Sequence, residues 1–321
     1  LRHEALRTVF VLDLGERPLR VVRRDGATPL ECVDLRGLDP LARRERIGAW
    51  VAAENERGID LAAAPWRLGV QIGDDSLHIG LVVHHALLDG WSNQHFMAEL
   101  SAAYAAFLDG RYPETAPAPP PYRVFVDLER KALACAPARD FWRAQLDGAA
   151  MPWWTGARLA RPVRLAYAVP ADVGARIAAL AIAWRVQEKS VWCTVYAALL
   201  AVLTGSERVL GSVVTHARPE LEHVEQSLGV YLNSLPLSAD LAGQSWAGIA
   251  ASLNQSLQQQ FRHRFYPAAQ IGLDTGLDLS ASLFNYVDNE PAAAGLPYAE
   301  SAFGLEATSY PLAFALRRSG A

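Results

Sequence analysis

The sequence contains little that would support a disulfide framework, a thiolate metal site or secretion. Its 321 residues include only three cysteines, Cys32, Cys135 and Cys193, which lie far apart and form no CxxC pair. This spacing argues against a disulfide scaffold and against a cysteine-ligated metal, and it fits a reducing compartment. The chain also opens at Leu1 without a basic and apolar leader, so we expect a cytoplasmic location.

The sequence also lacks a large excess of charge of one sign and long apolar runs. The net charge is −4, with 30 Lys and Arg against 34 Asp and Glu, so the chain has no basic footprint for nucleic acid or anionic lipid. No apolar run approaches the roughly 18 residues of a membrane span. Because 51% of the residues are apolar and 20% are charged, the composition is typical of a globular protein with a sizeable core. We therefore expect neither a nucleic-acid nor a membrane partner.

Predicted strands and helices alternate, which indicates a mixed α/β protein. Gly73-Asp74-Asp75 predicts the turn of a hairpin formed by residues 66–72 and 76–84. A helix is predicted over 92–108 with Ser92 as its N-cap. The same patterns predict strands at 7–14, 19–23, 163–169, 209–215, 229–237 and 280–287, and helices at 40–56, 125–146, 172–186, 190–203 and 246–261. The predicted domains are 1–160 and 161–321.

The segment 78–92, HIGLVVHHALLDGWS, carries the densest chemistry of the chain. Apolar residues at every second position from 77 to 83 share one face of the predicted strand, and His85 continues that series. An interior position is therefore predicted for the His85 imidazole, with His84 on the opposite face. Gly90 would let the backbone turn tightly before the helix, whose first N–H groups point toward the same region. A developing negative charge could be stabilised there.

Each of these residues also has a purely structural interpretation. A lone interior histidine is more often a satisfied core residue than a catalyst, and we keep that interpretation for His84, which would shape the loop through hydrogen bonds. Asp89 would be a turn former or an N-cap neighbour, and a structural salt bridge is the role we expect first. A metal site of His84, His85 and Asp89 is set aside, because adjacent histidines point to opposite strand faces. No metal is predicted.

Six motifs, in order along the chain, resemble those of nonribosomal peptide synthetase condensation domains and of the wider chloramphenicol acetyltransferase-like superfamily. HHALLDGWS at 84–92 is similar to the H-H-x-x-x-D-G-x-S signature. The other matches are LRHEALRTVF at 1–10, YRVFVDLE at 122–129, GVYLNSLP at 229–236, HRFYP at 263–267 and FNY at 284–286. Within these matches, Val124 replaces an Asp of the family pattern and Ser234 replaces a Thr.

The resemblance implies an α/β fold of two chloramphenicol acetyltransferase-like lobes arranged as a V, with a tunnel between them. Donor and acceptor peptidyl carrier proteins would insert phosphopantetheine arms from opposite faces, and the acceptor amine would attack the donor thioester. The domain itself would bind no cofactor and would adjoin other synthetase domains. Because the chain starts after the family's S-x-A-Q-x-R segment and stops before its R-D-x-S-R-N-P-like segment, we expect it to cover the middle of the family's domain.

Carried over by position, His85 is the catalytic histidine, either as general base or as the group that positions the amine. Gly90 would place its N–H near the tetrahedral oxyanion. Asp89 would pair with Arg218, which lies in a stretch similar to S-G-R-P but could equally form an ordinary turn before Pro219. The predicted tunnel lining, for which packing alone is the alternative, comprises Trp91, Ser92, Asn233 and Ser234.

Three other functions would keep the same fold. An epimerisation domain shares the HHxxxDG motif, but its E-G-H-G-R-E segment is not reproduced by Glu220, Glu222 and Glu225. A free-standing acyltransferase that uses coenzyme A or a carrier donor would retain His85. A catalytically silent recruitment module is the alternative of another class; relatives of that kind have lost the second His or the Gly, which are His85 and Gly90 here.

Overall fold

The structure is a computed structural model that describes residues 2–13, 18–26, 29–112, 117–155, 163–287 and 310–317. Packing divides the chain into two compact units. The first comprises Leu1–Val124 with Pro219–Val230, and the second comprises Phe125–Arg218 with Tyr231–Ala321. These units do not follow the ranges 1–160 and 161–321, which stay a prediction about the two lobes. Within the described residues, every helix is too short or too polar to cross a bilayer.

Two small sheets and two helices are described in the first unit. The elements are β1 (Thr8–Val11), β2 (Leu19–Val22), β3 (Leu30–Asp34), α1 (Pro40–Arg57), β4 (Trp66–Ile72), β5 (Leu77–Val83) and α2 (Gly90–Leu108). β1 pairs antiparallel with β2, and β4 pairs parallel with β3 and antiparallel with β5. The hairpin predicted over 66–84 and the helix predicted over 40–56 are confirmed. Residues 15 and 16, which would join the strands predicted at 7–14 and 19–23, lie outside the described residues.

A pair of glycines lets α1 lie directly on the β4–β5 hairpin. Gly69 and Gly80 face each other across the two strands. A Cβ atom at Gly69 would lie 2.2 Å from the Trp50 ring, and one at Gly80 would lie 2.3 Å from it. Both distances are far below the roughly 3.5 to 4.0 Å of a carbon–carbon contact. The indole of Trp50 therefore occupies space that only two opposed glycines leave open.

The core of the first unit includes the loop that follows β5. Leu87 and Leu88, within the HHALLDGWS motif, are fully buried and pack with Trp66, Phe96 and Leu228. Trp66 and Phe96 meet edge to face, with their ring centroids 6.0 Å apart. Burying a leucine side chain contributes about 1.5 to 3 kcal/mol. Two consecutive buried leucines therefore anchor the middle of the motif firmly.

The second unit packs helices against a mixed sheet. Its helices are α3 (Arg123–Leu133, which starts in the first unit), α4 (Ala136–Gln145), α5 (Ala171–Trp184), α6 (Glu188–Thr204), α7 (Trp246–Phe261) and α8 (Ala268–Thr275). Its strands are β6 (Arg208–His216), β7 (Leu232–Asp240), β8 (Ser282–Val287) and β9 (Leu312–Arg317). The sheet order is β7-β6-β8-β9, with β7 antiparallel to β6 and the other neighbours parallel.

Three predicted elements differ from the structure. The single helix predicted over 125–146 is two helices, α3 and α4, because Pro137 lacks the N–H that a continuous helix needs. The strand predicted at 229–237 begins at Leu232, since Gly229 bonds to residues of the first unit. The strand predicted over 163–169 was wrong, because the described residues there form no strand and Tyr167 is 84% exposed. Alternation indicates a face suited to a sheet, but it does not supply a partner strand.

Candidate active site

The loop between β5 and α2 is shaped by His84. The Nδ1 atom of His84 accepts the N–H of Ala86 at 3.0 Å. The backbone of His84 donates to the Pro65 carbonyl at 2.9 Å and accepts the N–H of Leu87 at 2.8 Å. These three hydrogen bonds at His84 turn the chain immediately after the strand. Because the Nδ1 atom of His84 accepts one of them, it carries no proton in this arrangement.

His85 is exposed rather than interior. The prediction of an interior imidazole was wrong, because β5 ends at Val83 and the two-residue alternation of a strand does not continue into a tight turn. Ala86 is exposed beside it, whereas the next two residues enter the core. His85 is therefore exposed in a loop whose next two residues after Ala86 are anchored in the core.

Asp89 caps the helix that follows the loop. It is only 1% exposed, and its carboxylate accepts the N–H of Ser92 at 2.7 Å. The first bond of the helix runs from the N–H of Asn93 to the Asp89 carbonyl at 2.9 Å. The prediction of Ser92 as the N-cap was therefore wrong, since Asp89 holds that position three residues earlier. The pairing of Asp89 with Arg218 stays a prediction.

Gly90 is the first residue of α2 and is exposed. Its backbone is helical, so the tight turn predicted to require glycine is not the reason for its presence. Among the described residues, a Cβ atom at Gly90 would meet no atom within 4 Å apart from its chain neighbours and the backbone of its own helix. Neither backbone conformation nor packing therefore demands glycine here. The missing side chain leaves open space beside the Gly90 N–H, at the end of the helix where the backbone dipoles favour negative charge.

Ser92 and Trp91 both bond to the segment 219–230, which we call the crossover segment. Ser92 is fully buried, and its hydroxyl donates to the Gly229 carbonyl at 2.9 Å and accepts the Gly229 N–H at 3.1 Å. The Trp91 indole N–H donates to the Glu225 carbonyl at 3.1 Å, and 37% of the Trp91 surface is exposed. Among the residues predicted to line the tunnel, Trp91 thus has an accessible surface and Ser92 has none. Gly229 is a partner of the loop that the motif analysis did not identify.

The crossover segment joins β6 to β7 but packs into the first unit. Leu228 lies in the core beneath the loop. Three further bonds hold the segment in the first unit. They run from the Arg2 guanidinium to Gln226 at 2.6 Å, from the Ser227 hydroxyl to the Pro120 carbonyl at 3.1 Å, and from the Tyr122 hydroxyl to the Val230 carbonyl at 2.7 Å.

Asn233 uses its side-chain amide to join two motifs of the second unit. Its Nδ2 donates to the carbonyls of Arg264 and Tyr266 at 2.9 and 2.8 Å. Its Oδ1 accepts the N–H of Ala268 at 3.1 Å. Ser234, the next residue, is half-buried on β7 opposite Val214. The tunnel position predicted for Asn233 and Ser234 stays a prediction, and the structure shows that the Asn233 amide is occupied by backbone groups.

His263 and Arg218, elsewhere in the second unit, each lie against an aromatic ring. His263, from the HRFYP motif, stacks on Phe141 with a centroid separation of 4.2 Å. Partial burial, together with the nearby charge of Arg262, lowers the pKa of His263. Arg218 lies 4.4 Å over the ring of Tyr231. Within the described residues, His, Cys, Asp and Glu form no group of three or more that could hold a metal ion.

Comparison with known proteins assigns the chain to a family. The condensation domain family model matches residues 1–291. The AMB antimetabolite synthetase AmbE of Pseudomonas aeruginosa is 34% identical over 308 residues, which is 92% of this chain and 14% of that protein. The chain therefore spans a small part of this curated relative.

Two solved structures share the fold. The X-domain from teicoplanin biosynthesis is 23% identical, with a TM-score of 0.79 over 99% of this chain and 75% of that one. The first condensation domain of the calcium-dependent antibiotic synthetase is 22% identical, with a TM-score of 0.71 over 90% of this chain and 69% of that one. These similarities confirm the predicted chloramphenicol acetyltransferase-like α/β fold, while the V-shaped arrangement of lobes and the tunnel stay predictions.

Proposed function

The chain belongs to the condensation domain family, and from that premise we propose that it forms amide bonds between acyl groups held by two peptidyl carrier proteins. The donor is an acyl or peptidyl thioester and the acceptor is an aminoacyl thioester, each on a phosphopantetheine arm. The domain binds no cofactor of its own, and it works in the cytoplasm beside neighbouring synthetase domains. One observation carries the proposal: an exposed imidazole, His85, precedes a helix whose exposed first residue, Gly90, has no side chain.

The chemistry follows from these two groups. His85 either accepts a proton from the acceptor amine or holds the amine by a hydrogen bond. The amine nitrogen then bonds to the thioester carbon, the carbonyl oxygen becomes an oxyanion, and the C–S bond breaks to release the donor's thiol, which takes up the proton. The Gly90 N–H and the positive end of α2 stabilise the oxyanion. Because both substrates arrive tethered, proximity supplies a further share of the rate.

Single-turnover mass spectrometry with loaded donor and acceptor carrier proteins tests this proposal. We expect the parent chain to form a dipeptidyl acceptor. With His85→Ala its formation should be at least about 10²-fold slower, as loss of a general base produces. His78→Ala is the matched control, because His78 is an exposed histidine on β5, the strand that leads to the loop. Equal background-level product from all three chains would contradict the proposal. A hydroxyl acceptor used in place of the amine, or an inverted α-carbon without a new amide, would indicate the acyltransferase or epimerase alternative.

A recruitment module is the second candidate, and one observation favours it. The X-domain from teicoplanin biosynthesis, which shares this fold, is also described in a complex with OxyB, with a TM-score of 0.78 to this chain. A domain of this fold therefore binds another protein. His85 and Gly90, both retained here, favour catalysis instead. Binding of carrier proteins without amide formation by the parent chain would favour recruitment.

A further inference from the structure

We propose that Ser92 is a positioning residue for the amide-forming reaction, and that its contact with Gly229 sets the position of the loop that carries His85 and Gly90. This inference rests on the proposed function. It goes beyond that function because it assigns a role to the buried end of the motif and to a segment remote in sequence. Ser92 touches neither substrate nor reacting atoms; it acts through the backbone of the loop.

The contact includes four hydrogen bonds among Asp89, Ser92 and Gly229. The Asp89 carboxylate accepts the Ser92 N–H at 2.7 Å, which fixes the first turn of α2. The Gly229 carbonyl accepts both the Ser92 hydroxyl at 2.9 Å and the Asp89 N–H at 3.0 Å. The Gly229 N–H donates back to the Ser92 hydroxyl at 3.1 Å. The backbone N–H and C=O of Gly229 therefore bond to Asp89 and Ser92, which lie on either side of Gly90.

Burial gives this contact its rigidity. Ser92 is 0% exposed and Asp89 is 1% exposed, while His85 and Gly90 are exposed. Where water is excluded, a polar group that loses its partner cannot be compensated by solvent, so displacement of the loop from Gly229 is unfavourable. The reactive surface of the loop thus lies directly above a buried set of bonds that specifies one position.

The crossover segment has further contacts within the first unit. Leu228 belongs to the same buried cluster as Leu87 and Leu88 of the loop, and Gln226 bonds to Arg2. The segment joins two strands of the second unit's sheet, and it packs in the first unit. The HHALLDGWS and GVYLNSLP motifs therefore meet through the last residue of one and the first residue of the other. This contact gives a physical reason for the serine that ends the first motif.

Ser212 provides a matched control for Ser92. It is a fully buried serine on β6 of the second unit, and its hydroxyl also donates to a backbone carbonyl, that of Leu279 at 2.6 Å. Neither Ser212 nor Leu279 belongs to the loop or to the crossover segment. A loss that arises merely from a missing buried hydroxyl would appear equally in Ser92→Ala and Ser212→Ala. A positioning effect would appear only in Ser92→Ala.

The test combines kinetics with hydrogen exchange on the 321-residue chain. With Ser92→Ala we expect about tenfold lower kcat, unchanged KM for both loaded carriers, and about tenfold faster amide exchange in residues 84–93. Ser92→Cys should fall between Ser92→Ala and the parent chain, since a thiol is a weaker donor of similar shape. Ser212→Ala should match the parent chain in kcat and in the exchange of residues 84–93.

The outcomes separate this inference from the proposed function. Equal losses in Ser92→Ala and Ser212→Ala, or parent-like kcat and exchange in Ser92→Ala, would overturn the positioning role. If the parent chain forms no amide, the proposed function fails, and the exchange experiment still decides whether Ser92 fixes the loop. Faster exchange confined to Ser92→Ala would support the contact in that case, and its absence would overturn it.

Discussion

The loop before α2 and the Asn233 joint of the second unit are both built from recognisable motifs, yet they use their polar side chains differently. In the loop, the buried residues Asp89 and Ser92 make the supporting bonds while His85 stays exposed. At the joint, the Asn233 amide bonds to three backbone groups of residues 264–268. The comparison teaches that membership of a motif does not distinguish a reactive residue from a structural one. Burial separates the two kinds in the loop, where the supporting side chains of Asp89 and Ser92 are buried and His85, the residue proposed to react, is exposed.

The largest expected effect tests the loop side of this comparison. Gly90→Ala should lower the rate of amide formation about 10²-fold, because a methyl group would fill the open space beside an oxyanion-binding N–H. Stability should be equal to the parent's or slightly higher, because alanine favours the helix and meets no protein atom. Single-turnover mass spectrometry and chemical denaturation together measure the two effects. A stable Gly90→Ala chain with parent-like activity would remove Gly90 from the site.

The next effect tests the joint. Asn233→Ala should destabilise the chain by about 2 to 3 kcal/mol, because two carbonyls and one N–H lose their partner. Its activity should fall only with the folded fraction. Ser234→Ala, one residue along β7, is the control and should stay within about 0.5 kcal/mol of the parent chain. Urea denaturation measures both. Parent-like stability with lost activity in Asn233→Ala would instead place Asn233 in the substrate tunnel.

Much of the framework was predictable from local patterns. The helix predicted over 246–261 has the same bounds in the structure, because Ser245 caps a periodic apolar face. The 66–84 hairpin was predictable because strand alternation and a Gly-Asp-Asp turn agree. The family was recognisable because six motifs occur in order, and the family match covers residues 1–291.

What the patterns missed depends on partners distant in sequence. Ser92 was predicted as an N-cap because its hydroxyl suits that role, but Gly229, 137 residues away, bonds to it instead. His85 was predicted to be interior because strand alternation was extended past the last residue of β5. The segment predicted as a strand over 163–169 forms no strand, and a local pattern cannot show whether a partner strand is present. Opposed glycines, as at Gly69 and Gly80, were a signal of close helix–sheet packing that periodicity alone does not report.

The smallest expected effect concerns pH and separates the stability of the second unit from the chemistry of the loop. Partial burial on α3 raises the pKa of Glu129 from its ordinary 4.5 to about 7. Between these two values the folded chain keeps a proton that the unfolded chain releases, so the free energy of unfolding falls as pH rises from 4.5 to 7. Because Glu129 is only half-buried, solvent screening limits the loss to about 1 kcal/mol.

Glu129→Gln should abolish that loss and leave the chain about 1 kcal/mol more stable than the parent at pH 8, with equal stability near pH 4. Urea denaturation at both pH values measures the difference, and Asp127→Asn on the exposed face of the same helix is the matched control. The rate of amide formation at pH 7 should not change, because Glu129 belongs to neither the loop nor the crossover segment. A parallel change in rate would show that this part of α3 and the loop are coupled, and the separation between structural and reactive regions would then have to be redrawn.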